Sequence, residues 1–231
     1  MLGDDDLCPN TVADADAGVP SSDKGLGKNR WIWTGTEWYS NAQGVDKGFT
    51  IEETKGCSCA QILDVLVDKT GQPFDGHYKF GCSQSVVEEW IDGWYPLEVV
   101  EVPSNDVAGA DSQSTLFDGE DYMLIASGEW YNFLDNSRVV DAEYISDDEW
   151  LTYEDGPPAL VPDQLDLQVD ASFQDWGVYS SNHEYSIDFA GAESTVNFRV
   201  FDGDAGTNTP NVNWYTDNDG SLLVAILLKL W

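Results

Sequence analysis

The chain has 231 residues, of which 43 are Asp or Glu and 10 are Lys or Arg, giving a formal net charge of −33. A surface with this excess of one sign repels nucleic-acid phosphates and anionic membranes, which excludes both as partners. The carboxylates suit hard cations such as calcium, and they also suit a saline habitat where acidic surfaces keep proteins in solution. Ten Trp, ten Tyr and nine Phe favour β structure, or a surface that stacks on ligands, over a helical bundle.

Neither end of the chain has the pattern of a targeting or membrane-spanning segment. The start, MLGDDDLCPN, lacks the basic and apolar stretches of a signal peptide. The final run, SLLVAILLKLW, is about half of the ~20 residues needed to cross a bilayer, and it includes Lys229. We therefore expect no membrane insertion and, if the protein is exported, a processed piece of a larger precursor.

Residues 1–29 are predicted to form an extended acidic segment. GDDDLCPNTVADADAG is rich in Asp and Gly and has no apolar periodicity. Asp4 and Asp6 belong to a run of closely spaced carboxylates, which offer the oxygen ligands that calcium prefers. The same composition also fits a disordered acidic tail, so both assignments stay open.

Residues 30–100 are predicted to form a small α+β module. RWIWTGTEWY (30–39) has the pattern of a hairpin, and its alternating Trp side chains form either a core face or a row that stacks on sugars. Apolar residues at helical spacing from Cys59 predict one helix, and Ser85 with Glu88 predicts a capping box ahead of a second. Two short helices bury little surface, so covalent cross-links are expected to stabilise the module.

The cysteines are the candidates for these cross-links. An even count of four in an acidic, loop-rich chain indicates two disulfides and an oxidising compartment. Cys57 and Cys59 are too close in sequence to bond each other comfortably, so each is expected to pair with a more distant cysteine, Cys8 or Cys82. The alternative is a zinc site from Cys57, Cys59, His77 and Cys82, although C-x-C is not a usual zinc-ligand spacing.

The second half of the chain has the pattern of an antiparallel β-sandwich. Residues 101–115, EVPSNDVAGADSQST, lack large apolar side chains and are predicted to be a linker. After them, residues 116–231 alternate apolar and polar positions, which predicts a jelly-roll or lectin-like sandwich with one buried face in each sheet. The predicted strands are 122–128, 164–170, 183–189, 194–201 and 221–231.

Two of these strands carry specific expectations. Asp166 and Gln168 alternate with aliphatic residues and are predicted to lie on the polar, outward face of their strand. The last strand is apolar on both faces, with Leu222 on one and Leu223 on the other. Such a strand is either central and covered twice, or exposed to a partner chain.

The clearest candidate site precedes the last strand. Asp217, Asn218 and Asp219 stand together in WYTDNDGSLLVAI, and calcium takes roughly six to eight oxygen ligands, mostly from loops of this composition. Asp202 can join them if the strand that ends beside it neighbours the last strand. The cluster also fits a polar turn around the following Gly, which needs no ion.

Catalytic motifs are not found in the sequence. His77 and His183 are the two histidines, and no nucleophile elbow, P-loop or dinucleotide fingerprint occurs. His183 is expected to be a hydrogen-bonded structural residue, and no carboxylate pair is singled out for glycoside hydrolysis. We therefore expect a protein that is not an enzyme. Aromatic residues at predicted strand ends are candidates for glycan stacking, namely Trp130, Trp176 and Tyr215.

Parts of the chain resemble families of secreted prokaryotic surface proteins. DDDLCPNTVADA resembles the closing unit of a thrombospondin type 3-like calcium repeat array, which implies calcium at Asp4 and Asp6. NRWIW, FTIEETKGCSCAQIL and HYKFGCSQSVVEEWI resemble a cysteine-bearing module that often follows such arrays. YMLIASGEW, VVDAEY and LDLQVDASFQDWGVYSSNHEY resemble a β-sandwich domain appended to many bacterial surface proteins.

The end of the chain is similar to that of the calcium-dependent galactophilic bacterial lectins. The resemblance implies calcium ligands at Asp202, the carbonyl of Trp214, Asp217 and Asn218. The loop 203–213 is longer here than in that pattern, and the sugar-binding His and Gln of those lectins have no counterpart. Galactose specificity is therefore not implied.

These observations favour an extracellular or cell-surface calcium-binding protein whose sandwich mediates adhesion or binds a surface ligand, with a glycan expected. The alternative is a structural subunit of an extracellular fibre, sheath or surface layer. In that case the chain would assemble with copies of itself through the C-terminal strand.

Overall fold

The computed structural model describes residues 6–9, 11, 29–40, 48–71, 81–132, 138–147, 149–152, 163–204 and 206–231. Over these residues the protein is mainly β, with antiparallel strand pairs, two α-helices and two disulfides, as predicted. The chain divides into two compact units. Unit 1 comprises Met1–Tyr95 with Leu230–Trp231, and unit 2 comprises Pro96–Lys229.

Unit 1 contains a hairpin and two helices. Their bounds are β1 Trp31–Trp33, β2 Trp38–Ser40, α1 Cys59–Thr70 and α2 Gln84–Asp92. In the hairpin, Trp31 and Trp38 are buried against Phe49, with ring centroids 5.8 and 6.2 Å apart. These two tryptophans therefore form a core face rather than a surface that stacks on sugars.

The two helices begin at serine caps. Ser58 caps α1 and forms a reciprocal capping box with Gln61. Ser83 caps α2 by accepting a hydrogen bond from the N–H of Val86. The predicted capping box from Ser85 and Glu88 is wrong, because the N-cap is Ser83, two residues earlier, and Ser85 lies inside the helix.

Both predicted cross-links are present in unit 1. Cys8 bonds Cys57, and Cys59 bonds Cys82. The zinc alternative is wrong, since all of its sulfur ligands are consumed in disulfides; its fourth member, His77, lies outside the described residues. The Cys59–Cys82 bond anchors the first residue of α1, and the Cys8–Cys57 bond joins two segments that precede it. These bonds stabilise a core that two short helices could not maintain alone.

Unit 2 is built from antiparallel sheets. Its strands are β3 Trp94–Pro103 (which begins in unit 1), β4 Ala110–Asp111, β5 Asp121–Ser127, β6 Trp130–Tyr131, β7 Val139–Val140, β8 Tyr144–Asp147, β9 Glu149–Thr152, β10 Asp163–Gln164, β11 Leu167–Val169, β12 Ser172–Phe173, β13 Glu184–Ala190, β14 Asn197–Val200, β15 Gly203–Asp204, β16 Thr209–Pro210 and β17 Asp219–Lys229. One sheet has the order β13-β5-β17-β6-β7-β8-β9, with β3 also paired to β17. The others have the orders β12-β11-β14-β4 and β10-β15-β16.

The residues predicted as a linker, 101–115, lie within unit 2 instead. They include the end of β3 and all of β4, which pairs with β14. Their small side chains have a packing reason, because a Cβ on Gly109 would lie 2.1 Å from the carbonyl oxygen of Phe198. A stretch without large apolar residues is here a closely packed edge strand rather than a spacer.

Strand β17 is central in its sheet. It pairs along one edge with β5 from Leu223 to Leu228 and with β6 at Asp219 and Gly220, and along the other edge with β3. Leu222, Val224, Ile226 and Leu228 form its buried face, whereas Leu223 on the opposite face is 44% exposed. The strand is thus central, as one of the two predicted alternatives required, but only one of its two apolar faces is fully covered.

The two residues after β17 belong to the core of unit 1. Leu230 is 2% exposed and its N–H donates to the carbonyl of Gly93 at 2.9 Å. Trp231 Nε1 donates to the carbonyl of Trp90 at 2.9 Å, and the Lys55 ammonium lies 4.9 Å from the Trp231 ring. Among the described residues, neither helix is long and apolar enough to cross a membrane.

Leu230→Ala is expected to lower the free energy of unfolding of unit 1 by about 2–5 kcal/mol, because it leaves a cavity in that core. The matched control is Leu223→Ala, which removes the same atoms from a half-exposed position and is expected to cost about 1 kcal/mol or less. Guanidinium denaturation followed by near-ultraviolet circular dichroism measures both losses. Equal losses would contradict the placement of Leu230.

Candidate functional site

Three buried polar side chains meet at one end of unit 2. Asn132 Nδ2 donates to Asp202 Oδ2 at 3.0 Å and to Asn218 Oδ1 at 3.4 Å. All three residues are buried, and Asp202 is 2% exposed. Two oxygen atoms from distant parts of the chain therefore face a single nitrogen atom. We refer to Asn132, Asp202 and Asn218 as the Asn132 cluster.

Strand pairing explains why these residues meet. Asn132 follows β6 and Asn218 precedes β17, and the register of these strands places Tyr131 opposite Asp219. Asp202 lies just after β14. Tyr215 fixes the main chain at the end of this strand. The Tyr215 hydroxyl donates to the carbonyl of Val200 at 2.8 Å and accepts from the N–H of Asp202 at 3.1 Å. Burial raises the pKa of Tyr215 to about 12.

The structure brings some of the predicted calcium ligands together and leaves others apart. Asp202 and Asn218 share the cluster, and Asp217 is the half-buried residue before Asn218. Trp214 begins a 3-10 helix, Trp214–Asp217, that leads into the cluster. Asp219 is exposed, and its Oδ1 accepts from the N–H of Gly220 at 3.0 Å.

The structure does not describe both of the predicted N-terminal calcium ligands. Asp4 lies outside them, and Asp6 Oδ1 accepts from the N–H of Cys8 at 3.0 Å. Across the part of the chain that the structure describes, no group of three or more His, Cys, Asp or Glu side chains is placed to hold a metal. A cation in the Asn132 cluster would therefore need amide and main-chain oxygens beside the carboxylate of Asp202.

Asn132 was not found by sequence reasoning. It lies in a short aromatic stretch, WYN, that has no feature of a metal-binding loop, and its role depends on the pairing of β6 with β17. Arg138 Nη1 donates to Asn132 Oδ1 at 3.3 Å, so the amide points its nitrogen toward Asp202 and Asn218. A cation between those oxygens requires the amide to turn its oxygen inward or to move aside.

The predicted stacking residues do not fit the structure, because all three rings are covered. Trp130, Trp176 and Tyr215 are buried, and their polar atoms bond main-chain or network groups inside unit 2. Two other aromatic side chains in the described part of unit 2 are exposed. Tyr179 and Trp214 are each 38% exposed.

A second polar network surrounds Asp141, which is fully buried. Its Oδ2 accepts from the Tyr185 hydroxyl at 2.6 Å and contacts His183 Nδ1 at 2.9 Å. Its Oδ1 accepts from the N–H groups of Glu143 and Tyr144 at 2.9 and 2.7 Å. Burial and the hydrogen bond to Asp141 raise the pKa of Tyr185 far above its ordinary value. The expected hydrogen-bonded role of His183 matches this geometry.

Asp166 and Gln168 are buried, so the prediction that they lie on an outward face is wrong. Gln168 Nε2 donates to Asn208 Oδ1 at 2.8 Å, and Gln168 Oε1 accepts from Arg199 Nε at 3.2 Å. Asp166 Oδ1 has no hydrogen-bond partner among the described residues. Burial, followed by the negative charges of Glu143 and Asp141, raises the pKa of Asp166 well above its usual range.

The fold and the site together define a mainly β, disulfide-linked protein with a buried oxygen-rich cluster at one end of its larger unit. No protein-family model and no curated protein matches the chain. Among solved structures, the N-terminal domain of EclA, a PllA-like lectin, is similar with a TM-score of 0.35 and 16% sequence identity. The matched region covers 58% of this chain and 98% of that chain.

Asp166→Asn is expected to stabilise unit 2 at pH 7 by about 1–3 kcal/mol, the usual cost of an unsatisfied buried polar group. The folded state holds the Asp166 proton more tightly than the unfolded chain does. The free energy of unfolding therefore falls as the pH rises from about 3.9, the ordinary pKa of Asp, through the raised folded pKa. Asp166→Asn removes this contribution to the pH dependence of stability.

Urea denaturation across this pH range measures the difference between the variant and the parent chain. The advantage of Asp166→Asn is expected to shrink as the pH falls below about 3.9, where both states of the parent carry the proton. Asp188→Asn, an exposed carboxylate on β13, is the matched control and is expected to change stability by at most about 0.5 kcal/mol. A stability advantage that does not vary with pH would contradict the assignment.

Proposed function

We propose that unit 2 is a non-catalytic binding module that holds calcium at the Asn132 cluster and binds a glycan beside it. The observation that carries the proposal is the convergence of Asp202 Oδ2 and Asn218 Oδ1 on one atom of Asn132. Oxygens that share a single hydrogen-bond donor are already directed at a common point, and a cation at that point replaces the donor.

The chemistry of these oxygens suits calcium better than zinc. Calcium takes carboxylate, amide and carbonyl oxygens at about 2.3–2.6 Å and tolerates irregular geometry. Asp202 and Asn218 supply the inner oxygens, and the carbonyl of Trp214 and the side chain of Asp217 complete the proposed set, with Asp219 at its margin. The N–H···O distances of 3.0 and 3.4 Å imply that the oxygens contract by several tenths of an ångström around the ion.

A bound ion would order the loop that presents the ligand-binding surface. Trp214 and Asn218 stand at the two ends of the same 3-10 turn, so a ligand to calcium from this turn fixes the position of the Trp214 ring. That ring is 38% exposed, and an exposed indole on an ordered loop is a typical stacking surface for the apolar face of a sugar. Calcium can in addition coordinate vicinal sugar hydroxyls.

The proposed location is extracellular or at the cell surface. Two disulfides in unit 1 fit an oxidising compartment, and the net charge of −33 fits a surface exposed to high salt. An origin as a processed piece of a larger secreted precursor is part of the same proposal.

Substitutions in the cluster test the calcium proposal by isothermal titration of the full chain with calcium chloride. Asp202→Asn removes the one buried carboxylate of the cluster and is expected to weaken calcium binding at least about tenfold. Asn132→Asp adds a carboxylate at the same point, so it is expected to tighten binding and to lower the melting temperature of the calcium-free protein.

The control for these variants is Asp188→Asn, which removes one exposed charge far from the cluster in sequence and is expected to leave calcium affinity within about twofold. Unchanged binding in Asp202→Asn would remove the Asn132 cluster from the proposal. A weaker affinity in Asn132→Asp would show that this position does not face the ion.

Trp214→Ala tests the glycan part of the proposal. In a panel of neutral oligosaccharides titrated with and without calcium, a binding sugar is expected to lose about fivefold or more in affinity with this variant, while calcium binding stays intact. Val212→Ala alters a neighbouring exposed apolar residue and is expected to have little effect. Calcium-independent binding, or equal losses in both variants, would contradict a calcium-ordered Trp214 surface.

The alternative function, assembly into a fibre or layer, has one supporting observation. Leu223 and the rest of the outward face of β17 are partly uncovered. Because β17 is paired with β5 and β6 on one edge and with β3 on the other, assembly would have to use this face rather than strand addition. Sedimentation velocity of the calcium-loaded protein distinguishes the two, since a monomer supports the binding module and large assemblies support the alternative.

A further inference from the structure

A second cluster of exposed and aromatic residues lies at the same end of unit 2. The registers of β13 with β5 and of β17 with β5 place Glu184 and Leu223 opposite Ser127. The start of β13, the end of β5 and the first part of β17 therefore lie at the same end of the sheet. His183 immediately precedes β13, and Glu129 lies between β5 and β6, the strand that Asn132 follows.

Two aromatic rings, those of Trp150 and Tyr179, lie beside the His183 ring. The ring of Trp150 lies 4.5 Å from the His183 ring and is stacked on Tyr179, with centroids 5.6 Å apart. Tyr179 also meets Tyr144 edge-on at 5.4 Å. The faces of such rings carry negative potential and attract cations.

The charges around these rings have the same sign. His183 bridges two carboxylates, with Nδ1 2.9 Å from Asp141 and Nε2 3.1 Å from Glu129. Asp141 is fully buried and engaged inside the protein, whereas the Glu129 side chain is 40% exposed.

The loop that carries Tyr179 is anchored by hydrogen bonds to its main chain. The Glu143 carboxylate accepts from the N–H of Trp176, and the Tyr144 hydroxyl donates to the carbonyl of Gly177 at 2.7 Å. Despite these anchors, Tyr179 is 38% exposed and Val178 is 87% exposed. A loop fixed by buried polar groups that still presents an aromatic ring is pre-organised for recognition.

We propose that Tyr179, Trp150 and Glu129 form a second binding site that takes an ammonium group, and that its source is an amino-sugar glycan. The ammonium would contact the aromatic rings and the Glu129 carboxylate from the solvent side, whereas His183 contacts the same groups from the protein side. The ammonium follows from the rings and charges alone, whereas the amino sugar rests on the proposed glycan-binding function. A ligand that spans this site and the Asn132 cluster would be an oligosaccharide.

The test uses a glucosamine tetramer and the same tetramer with every nitrogen acetylated, so that the two probes differ in charge at fixed sugar structure. Both are titrated calorimetrically into the full chain at mildly acidic pH. About 0.5 M salt shortens the Debye length to about 4 Å, which suppresses non-specific attraction to the acidic surface. The free amine form is expected to bind at least about tenfold more tightly than the acetylated form.

Variants locate the site. Tyr179→Ala and Glu129→Gln are each expected to weaken binding of the glucosamine tetramer about five- to tenfold, and Tyr179→Phe is expected to retain it because the ring remains. The matched controls are Val178→Ala and Glu184→Gln, the latter removing one exposed charge from the next strand position after His183. Both controls are expected to stay within about twofold.

Two results would overturn the inference: equal affinity for the two tetramers, or equal losses in the site variants and their controls. Tetralysine and its side-chain-acetylated form distinguish the source of the ammonium, since tight binding of tetralysine without binding of the glucosamine tetramer overturns the amino-sugar assignment. Each titration is repeated with chelator. Because Tyr179→Ala is expected to leave calcium affinity unchanged, failure at this site is distinguishable from failure of the calcium proposal.

Discussion

The pairing of β17 with its neighbours is the constraint on which the larger unit depends. One edge of the strand pairs with β5 and, further along, with β6, and the other edge pairs with β3. Its inward face contributes a row of fully buried aliphatic side chains, so the strand supplies both sheet continuity and core. The same strand fixes the position of Asn218, which lies just before it.

Buried carboxylates are the second constraint. A chain with 43 acidic residues can leave most of them in solvent, yet Asp141, Asp166 and Asp202 are buried. They are satisfied to different degrees: Asp141 accepts from four groups, Asp202 faces Asn132, and Asp166 has an oxygen without a partner in the described part of the chain. Carboxylates removed from water need compensation by hydrogen-bond donors or by a proton. Asp141 and Asp202 accept from donors, whereas burial raises the pKa of Asp166.

Periodic patterns in the sequence suffice to predict the regular helix and strands of the fold. Helix α1, the hairpin and strands β5, β13, β14 and β17 follow from local spacing, because helical and extended backbones repeat at fixed intervals. The two disulfides follow from the even number of cysteines. The pattern fails for Asp166 and Gln168, since alternation indicates two faces but not what covers each of them. It fails likewise for residues 101–115, where small side chains permit the close approach of β4 to β14 rather than a linker.

The sequence by itself determined the acidic, aromatic, mainly β character of the protein, its cysteine cross-linking and the presence of Asp202 and Asn218 as candidate ligands. Only the tertiary structure decided that Asn132 stands between those two residues, that Trp130, Trp176 and Tyr215 are covered, and that Tyr179 is presented beside Glu129. The physical reason is the same in each case. Residues far apart in the chain meet through strand register, and neither register nor the exposure of a ring is encoded in local spacing.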